Sequence, residues 1–274
     1  MPRSLTDSVF IITGASSGIG EAVALQAAGA GMNLVLTARR MDRLESVAAR
    51  ARSLGRLVET VPGDVTDERH SERLLDAAMT RFGRVDAVLA NAGYGLETST
   101  LHMDQPSLRR MFEVNVFAGF DLLQRAGRHL VAQGRGGHLL MSSSCVAKIT
   151  MPYYAAYCAT KAAQNHLCRA LRLELRPHGI EVSSILPVST TTEFHRVATG
   201  EDRDAPAHTP RLFVQTPERV ARAVIRCLRR PSPEVWTSHT VRFASALMTM
   251  FPSLMDWSVR KEVAKRRGRV MGSE

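Results

Sequence analysis

Cysteine is scarce and unpaired in this chain. Cys145, Cys158, Cys168 and Cys227 form no C-x-x-C pair, and no histidine stands at metal-ligand spacing from them. Reduced thiols are therefore expected, with neither a disulfide framework nor a zinc site. The histidines contain no H-x-x-x-H pair either, so no metal centre is expected. Long apolar runs are also missing: no window approaches the roughly 18 uninterrupted apolar residues of a membrane span. A strand-like run starts already at Val9, which leaves no room for a signal peptide and points to the cytoplasm. Aromatic residues make up only 5% of the chain, and this weighs on the reading of its charge. A formal net charge of +10 would bluntly suggest nucleic-acid binding. The basic residues, however, are mostly dispersed arginines without interleaved aromatics, dense only from Arg260 to Arg269. No nucleic-acid partner is expected. A basic surface that attracts a phosphorylated cofactor or an anionic membrane accounts for the charge.

What the chain does contain is a regular alternation. With 45% apolar and 23% charged residues over 274 positions, it can build one large α/β domain or two ordinary ones. Short apolar runs fall at Val9–Thr13, Asn33–Ala38, Leu57–Pro62, Ala87–Ala90, Gly137–Ser142 and Glu181–Leu186. Helical spacing fills Ile19–Ala30, Arg43–Leu54, Glu68–Phe82, Gln105–Gln133 and Ala155–Arg176 between them. Apolar strands alternating with helices predict a doubly wound parallel sheet covered on both faces, with ligands at the strands' carboxyl ends. Asp67 is expected to cap the helix from Glu68, and Thr216 with Pro217 to open another over Pro217–Arg229. After Pro187 the pattern loosens. Thr190–Pro210 reads as a mobile loop or lid. The expected division is a catalytic domain over residues 1–240 and a C-terminal extension over 241–274.

Three local patterns carry chemistry. Thr13-Gly14-Ala15-Ser16-Ser17-Gly18-Ile19-Gly20 follows the first strand and opens the first helix. Its glycines allow a tight turn and close approach to a pyrophosphate, and the helix N-terminus supplies N–H donors. No lysine of the nucleotide-hydrolysing P-loop is present. At the end of the second strand, where an acid would hold the adenosine ribose of NAD, stands Ala38, followed by Arg39 and Arg40. Guanidinium groups there suit a 2′-phosphate, hence NADP. Finally, Tyr157 and Lys161 are i,i+4 neighbours on one helix face, with Ser144 upstream. An ammonium beside a phenol is expected to lower the phenol's pKa, and a serine hydroxyl can hold the carbonyl oxygen that takes the proton.

Together these residues resemble the short-chain dehydrogenase/reductase family from about Thr6 to Phe194. Thr13–Gly20 is similar to its T-G-x-x-x-G-x-G cofactor turn. Asp64 with Val65 resembles the acid element beside the adenine, and Asn91-Ala92-Gly93 its N-A-G element. Asn115 resembles the asparagine of its proton relay, and Ser144, Tyr157 and Lys161 its catalytic trio. Pro187, Thr190 and Thr192 resemble the segment beside the nicotinamide, with Val188 in place of the usual glycine. Of the consecutive Ser142, Ser143 and Ser144, spacing to Tyr157 selects Ser144; the others read as strand-end hydrogen-bonders.

The resemblance implies a Rossmann-type fold and hydride transfer between NADP(H) and a carbonyl or carbinol carbon. Tyr157 would donate the proton, Ser144 hold the substrate oxygen, Lys161 bind the cofactor ribose, and Asn115 fix a relay water. Tyr154 is assigned to the substrate wall, and His195 to a loop. Phe194, Leu212, Phe213 and the many methionines favour a lipophilic substrate. A 3-oxoacyl-thioester reductase is the alternative, and a non-catalytic NADP-binding regulator a more distant one. The family's habit implies a homo-dimer or homo-tetramer. The tail, Val241–Val263 followed by the basic run, reads as a helix packed on the domain or a partner subunit, or as one lying on an anionic membrane.

Overall fold

The computed structural model describes residues 2–200 and 214–270. Seven strands form one sheet in the order β3-β2-β1-β4-β5-β6-β7, with every neighbouring pair parallel. They are β1 (Val9–Thr13), β2 (Asn33–Thr37), β3 (Val58–Thr60), β4 (Ala87–Ala90), β5 (Gly137–Ser142), β6 (Ile180–Leu186) and β7 (Glu234–Trp236). The helices are α1 (Gly18–Gly29), α2 (Met41–Ser53), α3 (His70–Phe82), α4 (Gln105–Phe112), α5 (Ala118–Gln133), α6 (Ala155–Leu175), α7 (Phe194–Thr199), α8 (Pro217–Arg229), α9 (His239–Met250) and α10 (Pro252–Val270).

Covered on both faces, the central strands bury every residue, which is why they read as continuous apolar runs. Side chains alternate across the pleat. Phe10 and Ile12 enter a core with Val23, Leu44 and Val224 from α1, α2 and α8. Val9 and Ile11 enter a second core with Leu74, Leu123 and Leu171 from α3, α5 and α6. Each such side chain contributes about 1.5–3 kcal/mol on burial, so one five-residue strand supports both halves. Strand order reverses between β1 and β4, and the loops part there to leave a crevice at the carboxyl edge.

The structure departs from the sequence reading in several places. A seventh strand, β7, pairs with β6 through three residues only, too few for a period to register. The span Gln105–Gln133 is not one helix: a π-turn at Glu113–Phe117 separates α4 from α5. α3 starts at His70 rather than Glu68; Asp67 instead accepts the Arg69 N–H at 3.0 Å and pairs with Arg73. Thr216 occupies the N-cap position of α8 without capping it through its side chain; its hydroxyl serves the Glu218 carboxylate. Part of the expected loop after Thr190 is helix α7, while residues 201–213, with Leu212 and Phe213, lie outside the described residues. The tail forms two helices. α9 is docked through buried Ser245 and through Thr249, whose hydroxyl donates to the Lys148 carbonyl at 3.1 Å, and the chain bends at Phe251 into α10. No helix among the described residues is long and apolar enough to cross a membrane.

Candidate active site

The turn after β1 closes only with glycine at its corners. Gly14 (φ +64°) and Gly18 (φ +58°) are left-handed, and a Cβ on Gly20 would lie 2.1 Å from the Gly14 carbonyl oxygen. The Thr13 hydroxyl accepts the N–H groups of Asn91 and Ala92 at 2.9 and 3.0 Å, and Asn91 Nδ2 donates to the Thr13 carbonyl. The turn is thereby fixed to the end of β4. From it a cleft of about 680 Å³ runs along the carboxyl edge of the sheet. Gly14, Ser16, Ser17, Gly18, Ile19, Arg39, Arg40, Asp64, Val65, Asn91, Ala92 and Gly93 line one part; Ser144, Tyr154, Tyr157, Lys161, Pro187, Thr190 and Thr192 line the other. Gly20 and Asn115 are not on its wall, and Leu212 and Phe213 lie outside the described residues. A glycine cradle at a helix N-terminus, opening into an elongated cleft, fits a dinucleotide.

At the end of β2, Ala38 is buried and brings no acid, while Arg39 and Arg40 are exposed. Arg40 donates to Ser17 Oγ at 2.8 Å and to Glu193 Oε2 at 2.9 Å, and Arg43 donates to the same carboxylate. Arg43 first, then Arg40, hold the Glu193 carboxyl down to about 2, against some burial. Glu193 was not read from the sequence, because nothing local marks an ion pair spanning 153 residues. Arg39 has no ion-pair partner among the described residues. Asp64 is already engaged. Burial raises its carboxyl, yet the Thr66 N–H and hydroxyl and the Arg110 guanidinium (2.6 Å) outweigh this and leave it below its ordinary value.

On the other side, α6 presents Tyr157 and Lys161 one turn apart, with Nζ 5.4 Å from the phenol ring centroid. Lys161 Nζ donates to the Ser142 carbonyl at 2.8 Å, and Ser143 Oγ donates to the Lys161 carbonyl at 2.8 Å. Ser142 and Ser143 thus bolt β5 to α6. Ser144, the next residue, hydrogen-bonds the Tyr157 phenol. The expected depression of the tyrosine is overturned among the protein's own groups. Burial pushes Tyr157 above its ordinary value, more than the Ser144 hydrogen bond lowers it, and burial alone pushes Lys161 down to about 7. Spacing shows who stands next to whom, but not the desolvation that dominates both.

The lysine has a consequence for stability. Its folded pKa lies below the ordinary 10.5, so between about 10 and 7 the unfolded chain binds a proton that the folded one does not. Stability therefore falls as pH drops through that window, and the full cost is present below it. Lys161→Met is expected to melt above the wild type by on the order of 3 °C at pH 6.5, with the gap closing towards pH 10.5. Thermal melts across pH check this, and a pH-independent gap would exclude burial as the cause.

Asn115 sits in the π-turn, fully buried. Its Oδ1 accepts the Tyr94 N–H at 3.0 Å, and its Nδ2 donates to the Tyr94 carbonyl (2.8 Å) and to Thr160 Oγ1 (3.1 Å). Its main-chain carbonyl accepts from Gln164 Nε2. These bonds tie the loop after β4 to α6. Gln164, three residues beyond Lys161 and nearly inaccessible, was missed; a polar residue on the buried face of α6 was the available signal.

Beyond the Tyr157 cluster the cleft wall carries Cys145, Val146, Met151, Phe194 and Val197, together with Glu97, His195 and Thr199. Phe194 lies 5.1 Å and Tyr154 6.3 Å from Tyr157, centroid to centroid. Tyr154 is buried and donates to Glu97 Oε2 at 3.2 Å. Tyr153 holds φ +66°, a strained conformation for a tyrosine, and its carbonyl accepts the Thr98 N–H at 2.8 Å. His195 lies in α7 and packs edge-on against Phe194. Val188 takes the glycine's place without a positive φ, its N–H donating to Thr237 Oγ1 at 3.3 Å.

A family model described as short chain dehydrogenase matches residues 8–202. An L-rhamnose 1-dehydrogenase (NAD(P)(+)) of Sphingomonas sp. is 32% identical over 81% of this chain and 89% of its own. An A-factor type gamma-butyrolactone 1′-reductase of Streptomyces virginiae is 33% identical over 80% and 87%. Among solved structures, an alcohol dehydrogenase of Thermococcus sibiricus complexed with 5-hydroxy-NADP superposes with a TM-score of 0.73 at 30% identity, covering 84% of this chain and 95% of its own. With the glycine turn, the cleft and the Ser144–Tyr157–Lys161 cluster in place, the chain belongs to the short-chain dehydrogenase/reductase family, nucleotide-binding oxidoreductases acting on CH–OH and C=O groups.

Proposed function

We propose that this protein is an NADP(H)-dependent carbonyl reductase for lipophilic substrates, with Tyr157 as the proton donor. The observation that supports this most directly is the convergence of Ser144, Tyr157 and Lys161 on the wall of the cleft that begins at the glycine turn. A reduced nicotinamide cofactor held there would supply a hydride for the carbonyl carbon. Ser144 holds the carbonyl oxygen, and Tyr157 gives it a proton. A buried phenol with a raised pKa keeps its proton at neutral pH, as a donor in reduction must. The phenolate left behind needs a nearby cation, and Lys161, with a pKa of about 7, can supply one on taking up a proton. Asn115 fixes the loop beside Gly93 against α6, so that the cleft wall stays in register with the trio.

Pyrophosphate contacts are assigned to Gly14, Ser16, Ser17, Gly18 and Ile19, with Gly20 shaping the turn. The adenosine is assigned to Asp64, Val65, Asn91, Ala92 and Gly93, and the nicotinamide half to Lys161, Pro187, Thr190 and Thr192. Arg39, without an ion-pair partner among the described residues, and Arg40 favour the 2′-phosphate. The apolar wall around Met151, Val146 and Phe194 favours a lipophilic substrate, with Tyr154 beside it. Pairing into a homo-dimer or homo-tetramer through α4, α5 and α6 belongs to the same reading; Phe117, at the end of the π-turn between α4 and α5, and Leu173 on α6 are largely exposed.

NADPH and NADH, supplied in parallel to ketones graded by chain length, to a sugar and to a 3-oxoacyl thioester, test this reading. NADPH should be preferred, and kcat/KM should rise about fourfold for each further buried methylene. A flat response to chain length, or a preference for the sugar, would sink the lipophilic assignment.

A further inference from the structure

The tail inverts the usual arrangement of a surface helix. Helices docked on a core turn their large apolar side chains inward. On α9 the buried residue is Ser245, flanked by half-buried Val241, Ala244 and Met248. Phe243, Leu247 and Met250 recur at i, i+4 and i+7, on the side opposite Ser245 at 100° per residue, and Phe243 and Met250 are 74% and 72% exposed. Past the bend, Phe251, Leu254 and Trp257 are exposed as well, Trp257 to 70%. So large an outward apolar surface on a folded chain marks a contact site.

The sequence next to this face indicates its partner. Between Arg260 and Arg269 it also carries Lys261, Lys265, Arg266 and Arg267 against a single acid, Glu262. A second copy docked on the same face would add a second such run to the assembly, and the added like charge would disfavour pairing. Anionic headgroups would instead neutralise the run. Tryptophan and phenylalanine beside a basic run suit the boundary between headgroups and acyl chains. We infer that the outer face of α9 and the first turns of α10 dock on an anionic phospholipid surface, with the basic end of α10 on the headgroups.

Docking there sets the orientation of the active site. Thr249 of α9 is bonded to the Lys148 carbonyl, directly after the Cys145–Ala147 turn, and Cys145 and Val146 of that turn line the cleft. A bilayer against α9 therefore lies about one helix diameter, roughly 10 Å, from the substrate wall. This link to the substrate, though not the docking itself, rests on the lipophilic reading above.

The full chain, centrifuged with phosphatidylcholine vesicles with and without phosphatidylserine, tests the inference. The expected result is co-sedimentation with phosphatidylserine vesicles, loss at high salt, and binding at least about tenfold weaker for a Phe243→Ser, Met250→Ser, Trp257→Ser variant. That variant should reduce a short water-soluble ketone as well as the wild type, showing that it folds. Failure of the wild-type chain to sediment with phosphatidylserine vesicles would overturn the inference. So would a variant that binds them unchanged, or that dissociates from a dimer to a monomer while vesicle binding stays as it was. Turnover of the short ketone separates these failures from a failure of the proposed activity, which would abolish it in both proteins.

Discussion

Tyr157→Phe is expected to lower kcat for ketone reduction by roughly a thousandfold and to leave NADPH affinity within about twofold. The substitution removes one oxygen from a side chain that is otherwise packed by Tyr154 and Phe194, so the ring stays in place and the fold is undisturbed. What is lost is the acid that stands next to Ser144: the Ser144 hydroxyl has no comparable acidity, and Lys161 Nζ is directed to the Ser142 carbonyl. Stopped-flow reduction together with NADPH fluorescence titration separates the two effects. A variant that keeps most of its turnover would remove Tyr157 from the role of donor. A variant that loses cofactor binding in proportion would make it a binding residue only.

The second large effect concerns the cofactor. Ala38→Asp combined with Arg39→Ala is expected to reverse the preference from NADPH to NADH, with the ratio of kcat/KM values moving by at least about a hundredfold. A hydrogen bond to a charged group contributes about 1.5–3 kcal/mol, so loss of the Arg39 guanidinium alone weakens 2′-phosphate binding by about tenfold or more. The new carboxylate repels that phosphate and offers an acceptor to the ribose hydroxyls of NAD. Arg40 is left intact because its bonds to Ser17 and Glu193 hold parts of the cleft beyond the 2′-position. Unchanged use of NADPH by the double variant would refute the assignment of this corner.

Much of the fold was legible because strands covered on both faces must be apolar throughout, and β1, β2 and β4 are. The glycine turn and the Tyr157/Lys161 spacing were legible for a related reason: each is a local geometry that few residue types can satisfy. The rest required distances. Glu193 reaches Arg40 and Arg43 from far along the chain, and Gln164 finds a carbonyl exposed by a π-turn that leaves the apolar pattern of Gln105–Gln133 unchanged. The direction of the tyrosine shift was misread, because neighbours can be deduced from spacing and burial cannot. β7 was too short to register.

The strand β1 sets a limit on how this site can change. Its odd and even positions feed different cores, and its last residue, Thr13, anchors Asn91 and Ala92. Sliding the strand by one position would exchange the occupants of both cores and pull that anchor away, so stability and cofactor geometry are locked to a single register. New specificity cannot come from re-aiming the sheet. It has to be written in the segments that hang from the carboxyl edge, the stretches around Glu97, Met151 and Phe194, where a substitution can reshape the pocket without disturbing what holds the molecule together.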